Sequence, residues 1–181
     1  MTGSGPTGLV RHMTWLAPVA ALLLLLLPDT LAAQAPRLGV RSLASLPRYV
    51  GTYPCTNGII VSPTVQNALR RVMGQDYAAY QRHLGLASCG PIEREGDYIV
   101  MDESRTGVAG HTSYIFVRLP EETVHVFWLK SLVTEKAYQI YGPRPVPAEV
   151  MSSIVRRLNE GWGKVATFSA RGEKLDIAIK K

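Results

Sequence analysis

The chain has few residues that do chemistry: two cysteines and four histidines in 181 residues. It also lacks the short motifs that mark the commoner active sites. No Gly-x-Ser-x-Gly occurs, so there is no nucleophile elbow, and no glycine-rich phosphate loop follows a strand. The histidines do not fall in the local pairs that a zinc site uses, so no metal is expected. No cofactor motif is present either. Basic residues come as pairs, Arg70-Arg71, Arg156-Arg157 and Lys180-Lys181, and never as a dense stripe. A nucleic-acid reader needs such a stripe with aromatics between, so no nucleic-acid partner is expected.

A long membrane span is lacking as well. From Trp15 to Leu27 the chain is almost wholly apolar and ends in six consecutive leucines. That run is shorter than the roughly 20 residues a transmembrane helix needs. Arg11 precedes it, Pro28-Asp29 breaks it, and Ala33-Gln34-Ala35 has the small-x-small form of a signal-peptidase site. Residues 1–35 therefore read as a cleavable signal peptide. No cysteine follows the apolar run closely, so no lipid anchor is indicated. No stable membrane anchor is expected after cleavage, and the compartment implied is periplasmic or secreted.

Cleavage after Ala35 leaves one domain's worth of chain, enough to bury about two thirds of its unfolded surface. Removal of Arg11 and Asp29 leaves the net charge near +6. In an oxidising compartment the remaining thiols, Cys55 and Cys89, are expected to pair.

Along the mature chain, residues 36–48 contain three arginines and two prolines without a period and read as an extended lead-in. Residues 49–181 read as a single α+β domain. Ser62-Pro63 is an N-cap followed by proline at the first helical position, and Val65, Ala68, Leu69, Val72 and Met73 recur at helical spacing up to Gly74. Asp76 can cap a second helix carrying Tyr77, Tyr80 and Leu84, which completes an N-terminal helical hairpin. Cys55 and Cys89 flank that hairpin, so a bridge would staple its base. Beyond Pro91 the pattern turns to strands: 98–101, 113–119, 123–129, 135–141, 165–170 and 175–179. A third helix, with Val150, Met151, Ile154, Val155 and Leu158 on its apolar face, precedes the last two. Helices followed by a run of strands imply an antiparallel sheet of about five to six strands. Arg156 and Arg157 are expected in the last turn of that third helix, where the dipole favours them.

His83 and His125 read as surface or rim residues. Asp102 and Glu103 could pass for paired carboxylates, but neighbours on a strand point to opposite faces, and a solvated strand end is expected. Trp128 and Trp162 read as core residues. The segment 103–113 is longer than a tight hairpin needs and carries Glu103, Arg105, Gly110, His111 and Ser113, so it is the candidate binding loop.

Ala68-Leu69-Arg70-Arg71-Val72-Met73-Gly74 with Tyr77, Gly90-Pro91-Ile92-Glu93, the glycine-containing loop ending at His111, and Ser113-Tyr114-Ile115-Phe116-Val117 together carry a likeness. Over residues 49–141 the chain resembles the inhibitor of vertebrate lysozyme family. The resemblance implies an antiparallel sheet with helices on one side. It also implies a loop whose histidine reaches the catalytic carboxylates of a lysozyme, a role that falls here on His111. Loop-flanking cysteines of that family are absent: Gly107 or Val108 and Thr112 or Ser113 stand in their places. The expectation is a non-catalytic binding domain, not an enzyme, with a protein partner in the cell envelope such as a lysozyme. Two alternatives stay open. One is a cell-envelope hydrolase in which Glu103, His111 and Ser113 converge. The other is an envelope assembly or accessory subunit that uses Trp128, Trp162 or the tyrosines. Nothing in the sequence signals an oligomeric state.

Overall fold

The computed structural model describes residues 39–84, 87–105, 111–131, 137–163, 166–168 and 175–177. The described residues belong to one compact unit, Arg37–Lys181. The expected signal segment and residues 106–110, Gly110 included, lie outside the described residues. Among the described residues no helix is long and apolar enough to cross a membrane.

Part of the expected lead-in is helical. Leu43–Tyr49 form a 3-10 helix in which Leu43 and Leu46 are buried. Their spacing of three is one turn of such a helix, so both face the core.

Helix α1, Pro63–Met73, begins where Ser62 Oγ accepts from the Val65 N–H at 3.4 Å, and it ends at Gly74, whose φ is 56°. Val65, Ala68, Leu69 and Met73 are its buried face. A 3-10 turn, Gly74–Asp76, leads into α2, Tyr77–Leu84, which buries Tyr77 and Tyr80. Asp76, expected as the cap of α2, instead accepts from the Tyr141 hydroxyl at 3.0 Å. Cys55 and Cys89 are bonded, with their Cα atoms 6.1 Å apart, at the base of this helical pair.

Six antiparallel strands follow: β1 (Ala87–Ser88), β2 (Glu93–Glu95), β3 (Tyr98–Arg105), β4 (Thr112–Arg118), β5 (Thr123–Ser131) and β6 (Ala137–Tyr141). Their order is β1-β3-β4-β5-β6, and β2 also pairs with β3. Helix α3, Ala148–Trp162, then precedes β7 (Ala166–Phe168) and β8 (Leu175–Ile177). These last two strands pair with each other as a separate small sheet. The fold is α+β.

The resemblance implies helices on one side only, but both faces of the sheet are covered. Ile99, Met101, Ile115, Val117, Val126 and Trp128 pack with α1 and α2. The residues between them, Val100, Phe116 and Phe127, pack with α3, β7 and β8. The reason is legible in the strands. Ile99-Val100-Met101, Ile115-Phe116-Val117 and Val126-Phe127-Trp128-Leu129 are unbroken apolar runs, and such a strand must be covered on both sides.

Three expectations about individual side chains are corrected. Arg156 and Arg157 do not serve the helix end. Arg157 pairs with Glu93 and Glu95 of β2, and Arg156 with Glu95 and Glu160. His125 is buried, not at a rim, with Nε2 3.2 Å from the carbonyl of Pro143. Trp162, expected in the core, is 37% exposed, whereas Trp128 is buried as expected.

Candidate functional site

The β3–β4–β5 register sets Glu103 opposite Ser113, and Ser113 opposite Trp128, in one row across the sheet. Side chains opposite one another share a face. Two residues further toward the strand ends, the Arg105 N–H donates to the His111 carbonyl at 2.9 Å, so those two residues also stand opposite. Helix α2 lies over this end of the sheet. Tyr80 and His83 are three residues apart on it and therefore share a helix face.

Each reaches down to the row beneath. The Tyr80 hydroxyl donates to Glu103 Oε2 at 2.5 Å and lies 3.1 Å from Ser113 Oγ. His83 Nε2 is hydrogen-bonded to His111 Nδ1, with the ring centroids 3.9 Å apart. Trp128 sits under both, with its ring edge-on to Tyr80 at 5.6 Å and to His83 at 5.3 Å. Its indole N–H is buried and has no hydrogen-bond partner among the described residues. Lys130 places its ammonium 4.5 Å from the Trp128 ring. Arg105 is exposed and His111 half-buried.

Burial dominates the electrostatics. It raises the Glu103 carboxyl to about 6, against the lowering effect of the Tyr80 hydrogen bond, while Asp102 raises it further. Tyr80 is pushed well above its ordinary value by burial and by the Glu103 charge. His83 is lowered to about 4 by burial and then by His111, Arg105 and Lys130. His111 is lowered by burial and by Arg105. Both shifts favour the uncharged imidazole, and the cations that act on the rings are Arg105, on both, and Lys130, on His83.

Of the residues singled out in the sequence, the structure brings Glu103 and Ser113 together and sets Arg105 against His111. Gly110 lies outside the described residues. The expectation that Glu103 sits at a solvated strand end is overturned, because it is 7% exposed and bonded to Tyr80. Glu103 and its neighbour Asp102 do take opposite faces of β3, as strand alternation requires. Asp102 points to the other face, where its Oδ1 accepts from the Gly90 N–H at 2.7 Å. That approach is close enough that a Cβ on Gly90 would lie 2.8 Å from Asp102 Oδ1.

Sequence reading assigned none of Tyr80, His83 and Lys130 to the site, and Trp128 entered it only as a core residue or as an interface candidate. Tyr80 was legible only as part of an apolar helix face. The overlooked signal for His83 is its position one turn on from Tyr80. Glu103, His111 and Ser113 do not form a nucleophile and base: Ser113 Oγ faces Tyr80 and is fully buried, while His111 is engaged by His83. Among the described residues no three of His, Cys, Asp and Glu gather as a metal site would need. Three open clefts of about 590, 440 and 450 Å³ lie elsewhere. Their linings include Arg41 and Arg48, Tyr98 and Arg118, and Arg71 and Val124 respectively, and none includes Glu103, His111 or Ser113.

Comparison with protein-family models, with curated proteins and with solved structures gives no match to this chain.

Proposed function

We propose that the protein is an exported, non-catalytic binding domain that contacts its partner with the end of the β3–β4 hairpin, through His111 and Arg105. One observation carries the reading: the His111 imidazole rests on His83, which itself leans on the buried Trp128. The ring is thereby held before any partner arrives, and a preorganised contact loses less entropy on docking. Glu103 and Ser113 support this end from beneath and offer no open group for hydrolysis. The Cys55–Cys89 bond supports export to an oxidising compartment, periplasmic or extracellular.

The partner class that the sequence resemblance brings forward is a c-type lysozyme, whose cleft carboxylates an imidazole can bridge. Its test is inhibition of a c-type lysozyme acting on cell-wall substrate, titrated with the oxidised protein at low and physiological salt. Inhibition that is lost in His111→Ala while the melting temperature stays near wild type supports the reading. No inhibition at excess wild-type protein removes lysozyme as the partner. A large stability loss in His111→Ala assigns His111 a structural role instead.

A further inference from the structure

Helix α2 sends two polar side chains to the hairpin end, and only one of them is needed to satisfy a buried group. Tyr80 meets the Glu103 carboxyl, which would otherwise be buried unpaired. His83 meets a ring that is half-exposed and could bond to water. Its contact with His111 has a chemical consequence that packing alone would not require.

A hydrogen bond between two neutral imidazoles holds one proton, and it admits two arrangements. In the first, His83 Nε2–H donates to His111 Nδ1, and His111 keeps its own proton on Nε2. In the second, His111 Nδ1–H donates to His83 Nε2, and His111 Nε2 is left as a bare acceptor. The bond made by one ring nitrogen thus decides what the other nitrogen offers. The first arrangement puts both protons on Nε2, the site that a neutral histidine ring favours in water. The second puts both on Nδ1.

We propose that His83 is a positioning residue: it holds His111 in the Nε2–H form, so that the outward nitrogen donates to a carboxylate of the partner. The inference rests on the reading that the hairpin end is the contact surface. It deepens that reading by naming a second residue and the protonation form in which His111 is presented. The surrounding charges favour a carboxylate over a neutral acceptor. Arg105 acts on both rings and Lys130 on His83, and the nearby anion, Glu103, is buried and engaged by Tyr80. An incoming carboxylate therefore meets one N–H donor flanked by cations, and charge-assisted hydrogen bonds of this kind are the stronger ones.

The test is imidazole nitrogen NMR on the full chain labelled at histidine, followed by titration with acetate and then with a c-type lysozyme. In the wild type, His111 Nδ1 is expected to resonate as an unprotonated, hydrogen-bonded nitrogen and Nε2 as a protonated one. His83→Phe keeps a ring against Trp128 but removes the donor. His111 Nδ1 should then shift to the position of a free ring nitrogen, and the acetate response should weaken. His83→Gln, whose carboxamide N–H can reach the same nitrogen, should restore both. Where lysozyme is inhibited, His83→Phe should weaken inhibition about tenfold, the value of roughly one hydrogen bond, with rescue by Gln. A wild-type His111 protonated on Nδ1, or one unaltered by His83→Phe, overturns the proposal. If the Phe variant does not fold, the wild-type Nδ1 signal decides: the position of a hydrogen-bonded nitrogen supports the proposal, and that of a free ring nitrogen overturns it. The expected spectra without lysozyme inhibition would uphold His83 as the positioning residue and remove lysozyme as the partner.

Discussion

The hydroxyl of Tyr80 stands 2.5 Å from Oε2 of Glu103, although 23 positions separate the two residues and one lies on a helix and the other on a strand. The bond joins α2 to the centre of the β3–β4 hairpin end, and it involves the carboxyl that burial perturbs most visibly. Its protonation should therefore register in stability. The folded carboxyl titrates at about 6 against an ordinary 4.5. Between those values the folded chain holds a proton that the unfolded chain has released, so stability falls as pH rises through this window. The stabilisation is complete below the unfolded value and is lost above the folded one. The size is about 2 kcal/mol. Thermal unfolding of wild type and Glu103→Gln from pH 4 to 7 should show wild type losing that much relative to the variant as pH rises. Parallel pH profiles would refute it.

Two neighbouring arginines on α3 should behave differently. Arg157 is 10% exposed at its side chain and meets Glu93 and Glu95, whereas Arg156 is 46% exposed. The carboxylates that Arg157 meets, Glu93 and Glu95, are 45% and 27% exposed, so water can still reach them when the arginine is removed, but the arginine's own packing and two ion pairs are lost. Arg157→Ala is expected to cost about 1–2 kcal/mol in urea denaturation and Arg156→Ala under about 1 kcal/mol. Equal losses would mean that burial does not separate the two.

Replacing both Cys55 and Cys89 by Ala opens a crosslink between residues 34 positions apart. Chain-entropy reasoning gives a loss of about 3–4 kcal/mol. The midpoint of chemical denaturation should fall accordingly, and reduction of the wild type should reproduce most of the shift. An unchanged midpoint would mean the crosslink constrains little in the unfolded chain.

Gly142 has a φ of 124°, and a Cβ there would lie 2.7 Å from both the Val124 carbonyl oxygen and the His125 ring. Its contact is with backbone, which cannot swing aside. Gly142→Ala is expected to destabilise by about 2–3 kcal/mol. A calorimetric melting temperature within a degree of wild type would contradict the close approach.

What the sequence made legible follows from where the forces are local. The face of α1, its Ser62 cap and the apolar face of α3 all came from periodicity, because those signals lie within one turn of the residues they govern. The cores of β3, β4 and β5 were legible from apolar runs. Strand β3 was expected to end at Met101, yet it continues to Arg105. Asp102-Glu103-Ser104-Arg105 carries no strand signal of its own. It is held in the ladder by β4 on one side and β1 on the other. Strands β1 and β2 were missed for the same reason, since each is three residues or fewer and exists through its pairing with β3. Of the candidate site, Glu103, Arg105, His111 and Ser113 were named from the segment 103–113, although Glu103 and Arg105 lie in β3 and Ser113 in β4. Tyr80 and His83 were not, because their meaning depends on a helix lying across the sheet.

The bond between Cys55 and Cys89 brackets both α1 and α2. A protease that cut the chain once anywhere between those two residues would break a peptide link and release nothing. Both halves would stay covalently joined and would run as one band until reductant was added. The helix that carries Tyr80 and His83 thus remains tethered to the sheet even after its own backbone has been nicked.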